Sequence, residues 1–211
     1  MGITAGTGPI WIDGGAEARS IRQMDETVAA DGELMRRAAA GDEMAARTLV
    51  ERHLPRAFGL AFRMLGNAAS ADDIAQEAFL RLWKQAERWR AEARIGTWLY
   101  TVVHNLCLDE LRRPMRNATA LDPELPDSRD TPQAARHRLE VSALVEAELR
   151  ALPERQRAAL ALVHYEQVAA NEAAMIMGIS IEALESLLAR ARRTLRTRLA
   201  ALRPDLLGGV Q

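Results

Sequence analysis

Three of the four tryptophans fall between residues 83 and 98, in a run that places Trp83, Trp89, Arg90, Arg94, Trp98 and Tyr100 close together. Aromatic faces stack on unpaired bases and guanidinium groups hold the phosphate backbone, so this mixture suits single-stranded nucleic acid. The same rings also serve as anchors of a loop packed on a core, and for each tryptophan taken alone the two uses are balanced. Just beyond, Asn105, Asp109, Arg112 and Arg113 recur on one side of a helical segment. Asn can read an adenine edge and the Arg pair can hold phosphate. Capping and solvation of a helix end explain the same four residues equally well.

A second group lies upstream. In DDIAQEAFLRLW, Asp73, Gln76, Leu80 and Trp83 fall in one row at three-four spacing, with Glu77 beside them. Large apolar groups ringed by polar ones make a protein docking face. Ala75, Ala78, Phe79 and Leu82 point elsewhere, toward a core, so the pattern also fits an ordinary amphipathic helix.

The third group is near the C-terminus. Ala173, Ala174, Ile176 and Met177 give a short apolar helix face, Gly178 is a helix stop, and Ser180 stands where an N-cap belongs. Ala183, Leu184, Leu187, Leu188, Ala191 and Leu195 then repeat at helical spacing. A short helix, a glycine turn and a longer helix is the helix-turn-helix pattern, whose second helix enters a major groove. The groove-facing candidates are Ser180, Glu182, Ala183, Glu185 and Ser186, followed by a cationic track of Arg190, Arg192, Arg193 and Arg196 for phosphates.

These groups need helices to position them. The chain has 211 residues and 48% hydrophobic residues, rich in Ala, Leu and Arg and poor in aromatics, which favours an all-α fold. Residues 1–30 read as a flexible leader. A compact helical domain is expected at 31–113, with a break at Gly41-Asp42, a stop at Gly66-Asn67 and a cap at Ser70 or Asp72. Residues 114–138 carry several prolines and read as a flexible linker. A second small helical domain follows at 139–203, with Pro153 opening a helix, and a frayed tail at 204–211. The net charge is -1, but it hides polarity: residues 139–189 hold eight acids against three Arg, while 190–203 hold six Arg and no acid. No run is long and apolar enough to span a membrane and no secretory signal is legible, so a cytoplasmic protein without membrane insertion is expected. The single Cys107 cannot form an internal disulfide. No metal-ligand spacing or phosphate-binding glycine loop is present, so neither metal, cofactor nor enzymatic activity is expected.

Taken in order, DDIAQEAFLRLW, then GTWLYTVVHNLCLDELRR, a proline-rich linker, LPERQRAALALVHYE and a helix-turn-helix ending ARARRTLRTRL resemble a bacterial RNA polymerase sigma factor of the extracytoplasmic-function group of the sigma-70 family. The resemblance covers about residues 31–202. It implies that 31–113 corresponds to sigma region 2 and 139–203 to sigma region 4. Asp73, Gln76, Glu77, Leu80 and Trp83 would then dock on the clamp helices of the largest catalytic subunit of core RNA polymerase. Trp89, Arg90, Arg94, Trp98, Tyr100, Asn105, Asp109, Arg112 and Arg113 would grip the non-template strand of the minus-ten promoter element, with a base flipped from the stack. The helix-turn-helix would read the duplex minus-thirty-five element and touch the polymerase flap. An anti-sigma factor is a further partner that the resemblance implies. Four positions depart from the family pattern: Ala169 replaces a Ser or Thr cap, Glu185 and Leu187 stand where cations are usual, and His104 stands where Arg is common. The last would weaken one phosphate contact and make it pH-sensitive. The rival reading is a stand-alone helix-turn-helix regulator, which has no use for the Asp73–Trp83 row.

Overall fold

The computed structural model describes residues 29–90, 94–113 and 144–207, and the backbone alone for 201–207. The expected linker, and the leader up to residue 28, lie outside the described residues. Every regular element among the described residues is helical.

Helix α1 covers 29–39 and is followed at Gly41 by positive φ. Asp42 then caps α2 (Glu43–Leu65), its carboxylate accepting from the backbone N–H groups of Met44 and Ala45. Gly66 ends α2 in the left-handed conformation, at φ 70°, with its N–H donating to Phe62. The next helix starts at once: Asn67 caps α3 (Ala68–Gln85) by accepting from Ser70 N–H at 2.8 Å. The cap is therefore not Ser70 or Asp72. The glycine completes its turn in a single residue, and Asn67 is the first side chain able to reach a free N–H of the new helix. A 3₁₀ turn, Ala86–Arg88, leads to α4 (Ile95–Arg112).

The second half comprises α5 (144–150), α6 (Glu154–Leu160), a π-helical turn (Ala161–Tyr165), α7 (Ala170–Met177) and α8 (Ile181–Leu207). Between α7 and α8, Gly178 sits at φ 62° and its N–H reaches the carbonyls of Ala174 and Met175. The Ser180 hydroxyl accepts from Ala183 N–H at 3.2 Å, as an N-cap does. Ala169, at the N-cap of α7, makes no side-chain cap bond. Helix α8 continues through Pro204 to Leu207, so the boundary expected at 203 is not a helix end.

The two halves are each helical bodies, but they are packed against one another. Leu49, Leu60, Met64, Leu82, Leu99 and Val103 from the first share one continuous apolar core with Ala158, Leu162, Ala173, Ile176 and Leu184 from the second. A smaller cluster of Leu149, Leu152, Leu160 and Ala191 ties α5 and α6 to α8. At the other end, α1 is held on α2 by buried Asp31, which bonds His53 Nε2 at 2.7 Å and Arg52. Burial pushes the Asp31 carboxyl up, but the His53 and Arg52 contacts outweigh it and hold the group below the ordinary Asp value.

A Cβ at Gly178 would meet nothing within 4 Å, so substitution there tests the backbone turn alone. Gly178→Ala is expected to lower the unfolding free energy by about 1 kcal/mol in a denaturant titration, because only left-handed strain is added. An unchanged midpoint would mean that the turn does not need this conformation.

Candidate nucleic-acid interface

The helix-turn-helix reading face is open. Ser180, Glu182, Ala183, Glu185, Ser186, Arg190, Arg192, Arg193 and Arg196 are all exposed, while Leu184, Leu188 and Ala191 on the opposite side of α8 are buried. Helical periodicity alone produces this division, since apolar residues at three-four spacing leave the other face to solvent. The arginines follow one another toward the C-terminal half of α8 and make that end of the exposed face cationic.

The row on α3 is also open. Asp73, Gln76 and Leu80 are exposed, Leu80 at 54%, while Glu77 and Trp83 are half-buried. Gln76 Nε2 donates to Asp72 at 2.6 Å and Arg81 pairs with Glu77 at 2.8 Å, which orders the polar rim around Leu80. Trp83 leans on Phe79 with ring centroids 6.1 Å apart, so its position is set by the core beneath. Ala75, Ala78, Phe79 and Leu82 are buried on the other face.

The aromatic-basic group divides into two parts. Arg90, Asn105, Asp109, Arg112 and Arg113 are exposed, with Arg113 held 3.0 Å from Glu110. Trp89 and Trp98 are half-buried and meet edge to face, 5.8 Å between centroids. Each ring thus packs on the other and still presents part of its surface to solvent. The indole N–H of Trp89 is buried and finds no partner among the described residues.

Arg94 and Tyr100, by contrast, are engaged by the second body. Tyr100 is buried and its hydroxyl donates to Glu166 Oε2 at 3.0 Å. Burial, reinforced by the Glu166 carboxylate, pushes the phenol well above its ordinary value, so it remains a donor. Arg63 Nη1, from α2, donates to Glu166 Oε1 at 3.0 Å, and its guanidinium lies 4.5 Å from the centroid of the Tyr165 ring. One turn along α4, the Thr97 hydroxyl donates to Glu172, and Arg94 lies 3.8 Å from the same carboxylate. Four donors of the first body therefore converge on two carboxylates of the second.

Local structure places those carboxylates. The π-helical turn closes with Glu166 N–H donating to Ala161, and Gln167 beyond it is the one non-glycine residue at positive φ among the described residues. This turn widens the helix end and directs Glu166 inward. Gly59 on α2 makes room: a Cβ there would lie 2.8 Å from Arg63 Nη1 and 3.1 Å from Glu166 Oε1. A glycine within a helix costs about 0.5–1 kcal/mol relative to Ala, and close approach of the ion pair is the compensation here.

Arg63, Thr97, Glu166 and Glu172 escaped the sequence reading because each is an ordinary residue on its own helix. The available signals were a glycine inside a helical pattern at 59 and an acid closing the apolar run ALALVHY. His104 differs from its expected role. It is 4% exposed and faces inward. The reason is register: His104 shares the inner face of α4 with Tyr100, Val103 and Cys107, all buried.

Comparison with known proteins places these surfaces in context. Residues 49–117 match the family model described as Sigma-70 region 2, and residues 142–195 match Sigma-70, region 4. The ECF RNA polymerase sigma factor SigM of Mycobacterium tuberculosis is 33% identical over 166 residues, covering 78% of this chain and 82% of SigM. SigE of Mycolicibacterium smegmatis, another ECF sigma factor, is 31% identical over 169 residues, covering 77% of this chain and 65% of SigE. Among solved structures, CnrH in complex with the cytosolic domain of CnrY aligns with a TM-score of 0.61 and 27% identity, over 82% of this chain and 98% of CnrH.

Burial, with the Arg155 cation nearby, holds the His104 ring below its ordinary value. The unfolded chain takes up that proton near pH 6.5, the folded chain at lower pH. His104 therefore leaves stability at its full value above about pH 6.5 and erodes it as pH falls below that value. Thermal unfolding of wild type and His104→Gln between pH 7.5 and 5.5 is expected to show a steeper loss in wild type. Parallel profiles would rule this group out.

Proposed function

We propose, from the premise that this chain belongs to the sigma-70 family and to its extracytoplasmic-function group, that it is the promoter-recognition subunit of a bacterial RNA polymerase. It binds core polymerase, directs it to promoters and takes part in DNA-templated initiation; it works as an initiation factor and not as a catalyst. Its place of action is the cytoplasm, with the polymerase. Among the described residues no helix is long and apolar enough to cross a membrane.

Roles then fall on the surfaces above. Asp73, Gln76, Glu77, Leu80 and Trp83 dock on the polymerase clamp helices. Trp89, Arg90, Trp98, Asn105, Asp109, Arg112 and Arg113, joined by Arg94 and Tyr100, hold the minus-ten non-template strand. Unstacking a base costs a few kcal/mol, and ring surface with Arg contacts returns a comparable amount. The exposed face of α8 reads the minus-thirty-five duplex. Glu182 and Glu185 on that face suit cytosine N4 donors and disfavour non-specific phosphate contact. Region 2 corresponds to about 31–113 and region 4 to about 139–203. CnrH was solved with the cytosolic domain of CnrY; by likeness, an anti-sigma factor is a further partner here.

The observation that carries this reading is the coexistence of two open faces in one chain: a polar-apolar row on α3 and a helix-turn-helix. A stand-alone regulator uses only the second, and normally as a symmetric dimer.

Gln76 and Leu80 are exposed, so Gln76→Ala/Leu80→Ala leaves the fold intact. The double variant is expected to weaken association with purified core polymerase by at least about tenfold, the effect of losing one or two interface anchors. Arg190→Ala/Arg193→Ala is expected to leave that association unchanged while weakening promoter binding and flattening its salt dependence. Undiminished core binding by the first variant would overturn the assignment of the α3 row.

A further inference from the structure

One exposed side chain at the start of α8 is not explained by packing. Ile181 is 45% exposed and does not pack on the core, whereas Ile179 and Leu187 on either side of it do. The helix start is secured without it. Ser180 caps it, and Ile179 before the cap and Leu184 four residues after the cap both join the core, the pairing that fixes how a chain enters a helix. Ile is also a weaker helix former than most residues, because its β-branch restricts rotation against the preceding turn. The neighbours sharpen the point. From Ser180 to Ala189 the chain holds no cation, and the first one is Arg190. Glu182 is held locally: its own backbone N–H and the Ser180 hydroxyl keep its carboxyl below the ordinary Glu value. Ala183, Ser186 and Ala189 are exposed but short. Ile181 and Glu185, one turn apart on the same side, are the long exposed side chains left at this end.

Each base edge in the major groove offers a fixed set of partners. Guanine presents two acceptors, which neither an anionic nor an apolar side chain can satisfy. Thymine presents a methyl group and cytosine an N–H donor. We propose that Ile181 reads the methyl group of a thymine, and that with Glu185 it makes the leading end of α8 a reader of pyrimidine edges. The inference rests on the proposed reading of promoter duplex by region 4 and names the base class that region 4 selects. A helix-turn-helix sets the first residues of its second helix against base edges, while its first helix crosses the backbone. Ile181 therefore enters the groove, and Met175 of α7, though 67% exposed, does not. One helical turn advances about 5.4 Å and one base-pair step about 3.4 Å, so Ile181 and Glu185 meet edges within about two steps of each other. Positive charge is left to Arg190, Arg192, Arg193 and Arg196, further along the helix and all exposed. Reading bases and holding the backbone thus fall to different halves of α8. Burial of one methyl group is worth about fourfold in affinity, a preference set by shape and not by charge.

Deoxyuridine lacks the thymine methyl and keeps the pairing edge, so it isolates the contact. Holoenzyme assembled from core polymerase and the full chain selects duplexes from a library randomised across the length of a promoter. Wild type is expected to recover, in the minus-thirty-five segment, a thymine and a cytosine within about two steps of each other. Replacing that thymine with deoxyuridine is expected to weaken wild-type binding about fourfold. Ile181→Ala is an exposed change to a better helix former, so the fold is kept. It is expected to bind the thymine duplex about fourfold more weakly and to lose nothing further with deoxyuridine. Met175→Ala is expected to keep the full deoxyuridine penalty. Equal penalties in wild type and Ile181→Ala, no penalty in wild type, or no thymine recovered in that segment overturns the proposal while leaving the function intact. Loss of core-polymerase association in Ile181→Ala does the same, since the residue is then a protein contact. Failure of wild-type holoenzyme to enrich any sequence instead overturns the function, and this inference with it.

Discussion

A carboxylate enclosed between two packed bodies must be given partners, because an unpaired charge away from water costs several kcal/mol. Glu166 is in that position, 8% exposed, with Arg63 from α2 and Tyr100 from α4 as its partners. Much of the arrangement serves this requirement. The π-helical turn aims the side chain, Gln167 accepts an uncommon backbone conformation behind it, and Gly59 gives way in front. Tyr100 contributes a hydroxyl whose proton is firmly held.

This constraint differs in kind from the apolar core around it. Burial of Leu60, Leu162 and Ile176 is indifferent to exact geometry and holds the bodies together in bulk. The ion pairs fix register and orientation, and truncating one partner leaves the other stranded. Arg63 and Arg94 are about a third exposed, so these contacts weaken with salt in a way the core does not.

The division of surfaces follows from the same packing. The polar-apolar row on α3 and the arginine-bearing face of α8 point outward from their own bodies. Of the aromatic-basic group, Tyr100 and Arg94 meet the second body, while Arg90, Asn105, Asp109, Arg112 and Arg113 stay exposed. At the cationic end of α8, Arg198 lies 3.4 Å from Glu148 of α5, while Arg190, Arg193 and Arg196 are exposed.

Local signals sufficed for much of this. Asp42, Gly66, Gly178 and Ser180 mark helix ends through backbone requirements that any sequence context shares, and three-four spacing sorted α3 and α8 into buried and open faces. The polar-apolar row on α3 and the exposed face of α8 are legible because each lies on one helix, where spacing along the chain is spacing in space. The cap at Asn67 was misread by a few residues because several polar side chains compete there. His104 and Tyr100 lie on the inner face of α4 with Val103 and Cys107. Which face of a mostly apolar helix is inner depends on the neighbour. Chain order alone determined the helices, their ends and the two faces built within single helices. The tertiary structure decided that Glu166 meets Arg63 and Tyr100, residues 103 and 66 positions away, because a charge pairs with whatever the fold brings within reach.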